Sequence, residues 1–363
     1  MVATVEDVTA LRDVTRTWIT EHASISRARA LGRSSRGGDG EALSGLLELG
    51  WGGGMVPEAD GGTALGLTAM AALAEECGRE LVALPVAHIF VGPALVFAAC
   101  EDLSERARLL PALASGEERF LLSLDSIAPN VLVEGEQRGG SIALRGELRF
   151  VPDVGLVDRI ILPVRFNGEI RFLIVSPSEV AAVRRSLVDR RSYTTLFCQG
   201  DLFPAASLLS ARLSESEFET ICSSIYLTAS AEALGAVQSA FDMTVEYLKT
   251  REQFGKPIGS FQALQHRAAQ ALCQVATLRA VVEAAAAAGD QNDRRFDHLA
   301  SLAKALSCET SRLVMAEAIQ LHGGIGMTEE HDVGLYFKRG RVTEFLLGDA
   351  HAHRARYADF REL

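Results

Sequence analysis

The hydrophobic pattern of the chain changes its period twice, which limits the folds that the sequence can adopt. Up to about residue 118 apolar residues recur at helical spacing. The next stretch consists of short apolar or alternating runs bounded by Gly, Pro, Asn or Asp, which is typical of strands. Long helical segments then return. The sequence therefore predicts an α+β protein with an N-terminal helical domain (1–118), a middle small antiparallel β-barrel or sandwich (119–213) and a C-terminal four-helix bundle (214–363).

Length and charge narrow the class of protein. A chain of 363 residues exceeds one usual core, so two or three structural units are expected. The net charge of −11 argues against binding to nucleic acid or to an anionic membrane surface. No uninterrupted apolar run approaches the ~18 residues of a membrane span, and the N-terminal residues lack the pattern of a signal peptide. We expect a cytoplasmic protein.

Two glycine-containing stretches near the C-terminus combine exposed backbone with hydrogen-bonding side chains. The first is Arg-Glu-Gln-Phe-Gly-Lys-Pro-Ile-Gly-Ser-Phe-Gln (251–262), and the second is Gln-Leu-His-Gly-Gly-Ile-Gly-Met-Thr (320–328). The guanidinium of Arg251 offers a planar fork of donors that suits a diphosphate. Glycines in the second stretch leave a turn that a ligand can approach closely. The alternative is that each stretch is a turn between helices.

Both stretches resemble signatures of the acyl-CoA dehydrogenase family, R-x-x-F-G-x-P-I and Q-x-x-G-G-x-G-x-T-x-E. The resemblance covers most of the chain, being strong from about residue 229 onward and poor in the middle. Residues 56–62, Val-Pro-Glu-Ala-Asp-Gly-Gly, are similar to a third family loop. The chain looks most like the degenerate or heteromeric bacterial members of the family.

The resemblance implies a flavin fold in which FAD lies between subunits. Three residues of each stretch would contact the diphosphate and adenosine end of a neighbouring subunit's FAD. They are Arg251, Gln253 and Phe254 in the first stretch, and Gln320, Gly323 and Gly324 in the second. The alternative is that these residues are retained for packing and bind no ligand.

The half of the site that would bind the flavin ring departs from the family pattern. Family members carry a T-E-P-G-x-G-S-D loop and a G-x-K-x-W-I-T-N strand, whose hydroxyls, backbone N–H groups and Trp contact the ring. Here the corresponding segments read Ser-Leu-Asp-Ser-Ile-Ala-Pro-Asn (123–130) and Gly-Glu-Leu-Arg-Phe-Val-Pro-Asp (146–153). The Trp is missing and Pro152 removes a donor. Ser123 and Ser126 are weak substitutes for a hydroxyl contact.

The catalytic base of the family is also missing. Removal of the α-proton from a thioester requires a carboxylate beside that carbon. The usual position of the family's Glu, just before a Gly, is occupied here by Leu347, and the position used by a minority of members is occupied by Ile225. Asp349 and Glu344 are weak candidates for a relocated base. We interpret both more simply as solvated charges at helix ends.

A metal site is not expected. His351 and His353 are two residues apart, which does not place two ligands on one helix face. The six cysteines are scattered without C-x-x-C spacing, which indicates reduced thiols rather than disulfides or zinc.

These observations favour one function and leave alternatives open. The resemblance implies FAD-dependent α,β-dehydrogenation of an acyl-CoA thioester, and the family includes α₂β₂ assemblies in bacterial degradation of steroid side chains. The chain would then be a subunit that completes the FAD site of a second acyl-CoA dehydrogenase-like subunit. The alternatives are a self-sufficient homo-oligomeric enzyme with a relocated base, or a fold recruited for another biosynthetic reaction. An electron-transfer flavoprotein is a further partner that the resemblance permits.

Overall fold

The computed structural model describes residues 5–31 and 38–360, and it has the three-part architecture that the sequence predicts. N-terminal helices are followed by a mostly antiparallel sheet and then by a C-terminal helical bundle. The α+β fold class is therefore confirmed.

The first part of the described chain consists of six α-helices. They are α1 (Val5–His22), α2 (Ile25–Leu31), α3 (Gly40–Glu48), α4 (Gly66–Arg79), α5 (Gly92–Ala98) and α6 (Leu103–Ser115). A short π-helical segment, Ala87–Val91, precedes α5. The helical pattern of residues 5–31 is divided in two at Ala23, because the carboxylate of Glu80 accepts the backbone N–H of Ile25 at 2.8 Å and starts a new helix there.

One sheet forms the middle part. Its strands are β1 (Phe120–Leu122), β2 (Val133–Arg138), β3 (Ser141–Pro152), β4 (Arg159–Phe166), β5 (Glu169–Val175), β6 (Ala181–Ser186), β7 (Ser192–Pro204) and β8 (Leu208–Leu213). The order is β6-β7-β3-β2-β4-β5-β8, and β1 pairs with β4. Neighbouring strands are antiparallel, except that β1 and β2 both pair in parallel with β4. The pairing of β3 with β7 is shifted between Leu148 and Val151, and Phe150 adopts a left-handed φ of 54° in this bulge.

The last part contains the bundle. Its helices are α7 (Glu215–Thr250), α8 (Gln262–Asp290), α9 (Phe296–His322), α10 (Val333–Thr343) and α11 (Ala350–Phe360), and a two-residue hairpin, β9 (Glu252–Gln253) and β10 (Lys256–Pro257), follows α7. Ser214 and Glu217 form the capping box that the sequence predicts at the start of α7. After α10 the chain turns at Leu347 and Gly348, with φ values of 62° and 90°, and continues as α11.

Helix α8 is long and apolar enough to cross a membrane when judged by length and composition alone. The mean hydropathy of its most apolar window is 1.4, and 39% of that window is buried against the rest of the protein. A core helix passes the same test, so one such helix is weak evidence. Here α8 packs against both α7 and α9.

Two glycines bring α4 and α7 into backbone contact. A Cβ atom added at Gly78 would lie 1.9 Å from the carbonyl oxygen of Glu232, and one added at Gly235 would lie 1.9 Å from that of Glu75. Both distances are far below van der Waals contact, so only glycine permits this crossing. The crossing fixes the position of Glu232 relative to α4 and the protein interior.

We expect Gly235→Ala to destabilise the protein by about 1–3 kcal/mol, because the new methyl group forces α4 and α7 apart. The loss should appear despite the ~1 kcal/mol of helix propensity that alanine gains over glycine. Urea unfolding followed by circular dichroism measures the change. Gly334→Ala in α10 is the matched control, since its added Cβ meets its nearest atom at 3.6 Å and should leave stability unchanged or higher. Equal stability of the two variants would contradict the claim that only glycine permits α4 and α7 to approach this closely.

Candidate functional site

The first glycine-containing stretch forms an exposed hairpin at the end of α7. Phe254 and Gly255 make its turn with φ values of 55° and 77°, both left-handed. Phe254 is 91% exposed. Arg251 follows the last turn of α7, and its guanidinium has no hydrogen-bond or ion-pair partner among the residues that the structure describes. Gln253 is exposed in the same hairpin. An unpaired cation and an aromatic face are thus presented to solvent.

The second stretch is an equally open turn at the end of α9. Gly323 ends the helix with a φ of 63°, and a Cβ atom added at Gly323 or Gly324 would meet no atom within 4 Å. Gln320 is exposed in the last turn of α9. The backbone is therefore accessible from the outside, as close approach of a diphosphate requires.

An aromatic stack joins the two stretches. Tyr247, in the last turn of α7, stacks on His322 of α9 with ring centroids 4.6 Å apart, and His331 lies 4.5 Å from His322 on another side. Helices α7 and α9 therefore end at the same end of the bundle. We call the six exposed residues Arg251, Gln253, Phe254, Gln320, Gly323 and Gly324 the surface site.

A separate cavity lies between the sheet, α7 and α10. The centre of a water molecule can occupy about 70 Å³ of it. We call it the chamber. Much of its wall is apolar: Pro85, Ala87, Pro152, Ala229, Ala233, Val342, Leu346 and Leu347. Its polar wall residues include His88, Ser126, Arg191, Tyr193, Glu232, Lys304, Arg339 and Thr343.

Two buried arginines share one carboxylate at the chamber wall. Glu232 Oε1 of α7 accepts a hydrogen bond from Arg191 at 3.0 Å and another from Arg339 at 2.9 Å. Arg191 also donates to Asp153 at 2.8 Å, and Arg339 donates to Asp189 at 3.0 Å. We call these five residues the arginine network. Apart from Asp189 and Arg191, its members are far apart in sequence, and every ion pair joins residues at least 38 positions apart, so no local pattern could have revealed it.

Burial and the charge of Arg191 shift the pKa of the Asp153 carboxyl group in opposite directions. Burial raises the pKa of this carboxyl group, and the attraction of Arg191 offsets that rise only in part. Tyr193 donates its hydroxyl to Asp189 at 3.0 Å, and burial raises the pKa of that phenol well above its usual range. Asp189, Tyr193 and the two arginines are thus paired within this side of the chamber, whereas Oδ1 of Asp153 is buried without a hydrogen-bond partner.

The loop that corresponds to the ring-binding loop of the family binds its own backbone. The Asp125 carboxylate accepts N–H groups of Ile127 at 2.9 Å, Ala128 at 2.8 Å and Arg149 at 3.0 Å, and it pairs with the Arg149 guanidinium at 2.8 Å. The side chain of Asp125 is fully buried. The N–H groups that could bond a ligand are therefore consumed inside the loop.

The two serines of this loop donate their hydroxyl hydrogens to backbone carbonyls. Ser123 Oγ donates to Ile161 at 2.8 Å, and Ser126 Oγ donates to Phe150 at 2.8 Å. The backbone N–H of Ser126 donates to the carbonyl of Arg149 at 2.9 Å. Together with the bonds to Asp125, these contacts occupy both serine hydroxyls and the N–H groups of Ser126, Ile127 and Ala128 inside the protein.

Neither usual base position holds a proton acceptor in the chamber. Leu347 lines the chamber in a left-handed conformation, and its backbone is held from both sides. Its N–H donates to the carbonyl of Ser126, and its carbonyl lies 2.8 Å from Nε2 of His353. Such a φ is strained for leucine, at a cost of about 1–3 kcal/mol, so these contacts hold the turn in place. Ile225 is fully buried in an apolar cluster that also contains Tyr226.

The two weak candidates for a relocated base lie outside the chamber wall. Glu344 follows α10 and pairs with Arg341 at 2.9 Å, and burial raises the pKa of its carboxyl group. Asp349 is exposed and accepts the N–H of Ala352 at 2.8 Å at the start of α11. Asp349 is thus a solvated charge at a helix end, whereas Glu344 lies at a helix end with only 17% of its side chain exposed.

The histidines near the C-terminus face different surroundings. His351 is exposed, whereas His353 is buried beside Tyr226 with ring centroids 4.7 Å apart. In residues 5–31 and 38–360 no group of three metal-ligating side chains is present.

Comparison with known proteins assigns the chain to a family. Residues 5–117 match the acyl-CoA dehydrogenase N-terminal domain, and residues 227–360 match the acyl-CoA dehydrogenase C-terminal domain. The acyl-CoA dehydrogenase IpdE2 of Mycobacterium tuberculosis is 31% identical over 350 residues, which cover 94% of this chain and 93% of that protein. The chain belongs to the acyl-CoA dehydrogenase family. The predicted family is thus confirmed.

Solved structures align with nearly all of this acyl-CoA dehydrogenase family member. The ChsE4-ChsE5 complex of Mycobacterium tuberculosis has a TM-score of 0.88 at 25% identity, covering 98% of this chain and 97% of that chain. A variant of the steroid ACAD Tcur3481-Tcur3483 has a TM-score of 0.86 at 26% identity, with the same coverage. Family members depend on FAD, so the fit of this chain to each half of that cofactor can be judged.

The two halves of FAD fit this chain differently. The surface site offers an unpaired guanidinium and open glycine backbone, which suit the ADP half. In the segment around Asp125, the N–H groups of Ile127 and Ala128 are already bonded to the Asp125 carboxylate, and Phe150 stands where the family has Trp. The residues present therefore fit the ADP half of FAD better than they fit its ring.

We expect Asp125→Asn to destabilise the protein by about 2–3 kcal/mol at pH 7, because it removes a buried charge that four donors share. Burial raises the pKa of Asp125, but bonds from Arg149 and the backbone outweigh it, so the folded-state pKa lies below the ordinary value. The stabilisation is therefore full above an ordinary pKa of about 3.9 and is lost as pH falls through the folded-state pKa.

The difference between wild type and Asp125→Asn should accordingly shrink at acid pH, as measured by urea unfolding at pH 7 and near pH 3. Asp13→Asn is the control, since the Asp13 side chain is 65% exposed and should change stability by less than ~0.5 kcal/mol. A penalty for Asp125→Asn that stays constant with pH would show that its charge is not responsible.

Proposed function

We propose that this chain is the FAD-completing subunit of a heteromeric acyl-CoA dehydrogenase in the cytoplasm. Its surface site binds the ADP half of FAD held by a second acyl-CoA dehydrogenase-like subunit, and its own chamber carries out no dehydrogenation. Bound FAD supplies the acceptor for the β-hydride of an acyl-CoA thioester. The residues of this chain contribute binding and orientation.

The contrast between the two sites is the observation that supports this proposal. The surface site is exposed and its Arg251 is unpaired among the described residues, so binding a diphosphate breaks no existing ion pair. In the chamber, by contrast, Glu232 already accepts bonds from two arginines, and Leu347 and Ile225 occupy the base positions. Glu232 is the one Asp or Glu among the described residues of the chamber wall, and its pairing with two arginines makes it a poor base for the thioester.

The similar structures support the assembly and the substrate class. One is a complex of two named chains, ChsE4 and ChsE5, and another is described as a steroid ACAD. We therefore propose an α₂β₂ assembly with a steroid-derived acyl-CoA as the substrate. Reoxidation by an electron-transfer flavoprotein remains a prediction.

Purification of the chain with and without its partner tests the proposal. We expect the chain alone to lack visible flavin absorbance, and we expect the co-expressed pair to contain FAD and to oxidise an acyl-CoA. A full flavin complement with turnover by the chain alone would instead establish the self-sufficient homo-oligomeric enzyme.

In the co-expressed pair, Arg251→Met should weaken FAD binding about ten- to a hundredfold, because a charge-assisted bond to phosphate contributes about 1.5–3 kcal/mol. The flavin content after dialysis measures this loss. Arg138→Met is the control, since Arg138 lies on β2 and pairs only with Glu136 at the surface. Unchanged flavin content in the Arg251 variant would exclude the surface site.

A further inference from the structure

Lys304 of α9 is a buried cation without a counter-ion. The residue is 2% exposed, and its ammonium donates to the carbonyl of Thr343 at 3.1 Å and to Sγ of Cys308 at 2.9 Å. Among residues 5–31 and 38–360 it makes no ion pair with a carboxylate. An ammonium carries three donors, so one remains available at the chamber wall.

The surroundings offset this charge only in part. The carbonyl of Thr343 belongs to the C-terminal end of α10, where the helix carries about half a negative charge. The other cations of the chamber, Arg191 and Arg339, pair directly with the three carboxylates Asp153, Asp189 and Glu232, and none of these carboxylates forms an ion pair with Lys304. A buried formal charge that lacks an anion is costly, so the chamber favours a ligand that brings one.

His88 supplies a second unmatched polar group in the same chamber. It lies on the π-helical segment, and its Nε2 is buried without a hydrogen-bond partner. Burial lowers the pKa of His88 to about 3, so the ring is neutral at neutral pH and adds no charge of its own. A neutral imidazole presents one hydrogen-bond donor and one acceptor. Its N–H can therefore bond an oxygen of the ligand, while the ligand's negative charge is neutralised by Lys304.

We propose that the chamber binds a small aliphatic carboxylic acid, with Lys304 contacting the carboxylate and His88 contacting the ligand as a second polar group. The hydrocarbon part lies against apolar wall residues such as Val342, Leu346 and Leu347. The ligand is a free acid of a few carbons, because only about 70 Å³ of the chamber can hold the centre of a water molecule. This proposal rests on the proposed function, since a flavin ring in this chain's own chamber would exclude the acid.

Calorimetric titration of the purified protein, with its partner where the two copurify, tests the proposal with butyrate as the probe. Butyrate should bind saturably, and butyramide, of nearly the same shape but without charge, should bind at least tenfold more weakly. Butyrate alone should also raise the unfolding temperature, which requires no variant. Equal binding of the two compounds, or no saturable binding of butyrate in the millimolar range, would overturn the proposal.

Lys304→Met should weaken butyrate binding at least tenfold, whereas Lys249→Met should bind butyrate as the wild type does. Lys249 is a matched control because its ammonium is exposed and pairs with Glu246 on the surface of α7. Lys304→Gln replaces the methionine variant if that variant fails to fold, since it keeps a donor while removing the charge. Unchanged affinity in a folded Lys304 variant would exclude this residue as the anion contact.

The flavin absorbance of the same samples separates this proposal from the proposed function. A chain without flavin that also fails to bind butyrate refutes the acid site alone. A chain that carries its own complete FAD refutes the non-catalytic subunit, and butyrate should then not bind.

Discussion

The carboxylate of Glu232, shared between two buried arginines, connects the three parts of the molecule. Arg191, Asp153 and Asp189 come from the sheet region, Glu232 from α7 and Arg339 from α10. The glycine crossing of α4 and α7 sets the position of Glu232, so the N-terminal helices also contribute. Breaking one member of such a buried group leaves a charge without a partner, which typically costs about 3–5 kcal/mol. The chamber is therefore shaped by charges that the protein needs for its own stability.

This internal matching explains why the two halves of the family's cofactor site differ here. Groups that would otherwise contact a ligand instead bond one another, as the loop around Asp125 does with its own N–H groups. The surface site has the opposite property, because the Arg251 guanidinium has no partner among the described residues and the space beside Gly323 and Gly324 is open. Polar groups matched inside a protein stabilise it, whereas unmatched groups at a surface are available for binding.

Local sequence signals predicted most elements but not the long-range contacts. The start of α7 could be predicted because Ser214 and Glu217 form a local capping box. The end of α10 could not, because the left-handed turn at Leu347 depends on a bond to Ser126, more than half the chain away. The arginine network and the burial of Lys304 could not be predicted from the sequence for the same reason. The domain boundaries and the roles of the six surface-site residues stay predictions, since both rest on resemblance.

The surface site and the chamber are held by different contacts, and this separation has an evolutionary consequence. The hairpin after α7 and the turn after α9 depend on each other through Tyr247 and His322, and not on the loop around Asp125. Substitutions that erase chemistry in the interior therefore leave the exterior half intact. After a gene duplication, one copy can lose its own turnover and still be retained by selection, because the other copy needs its outer face.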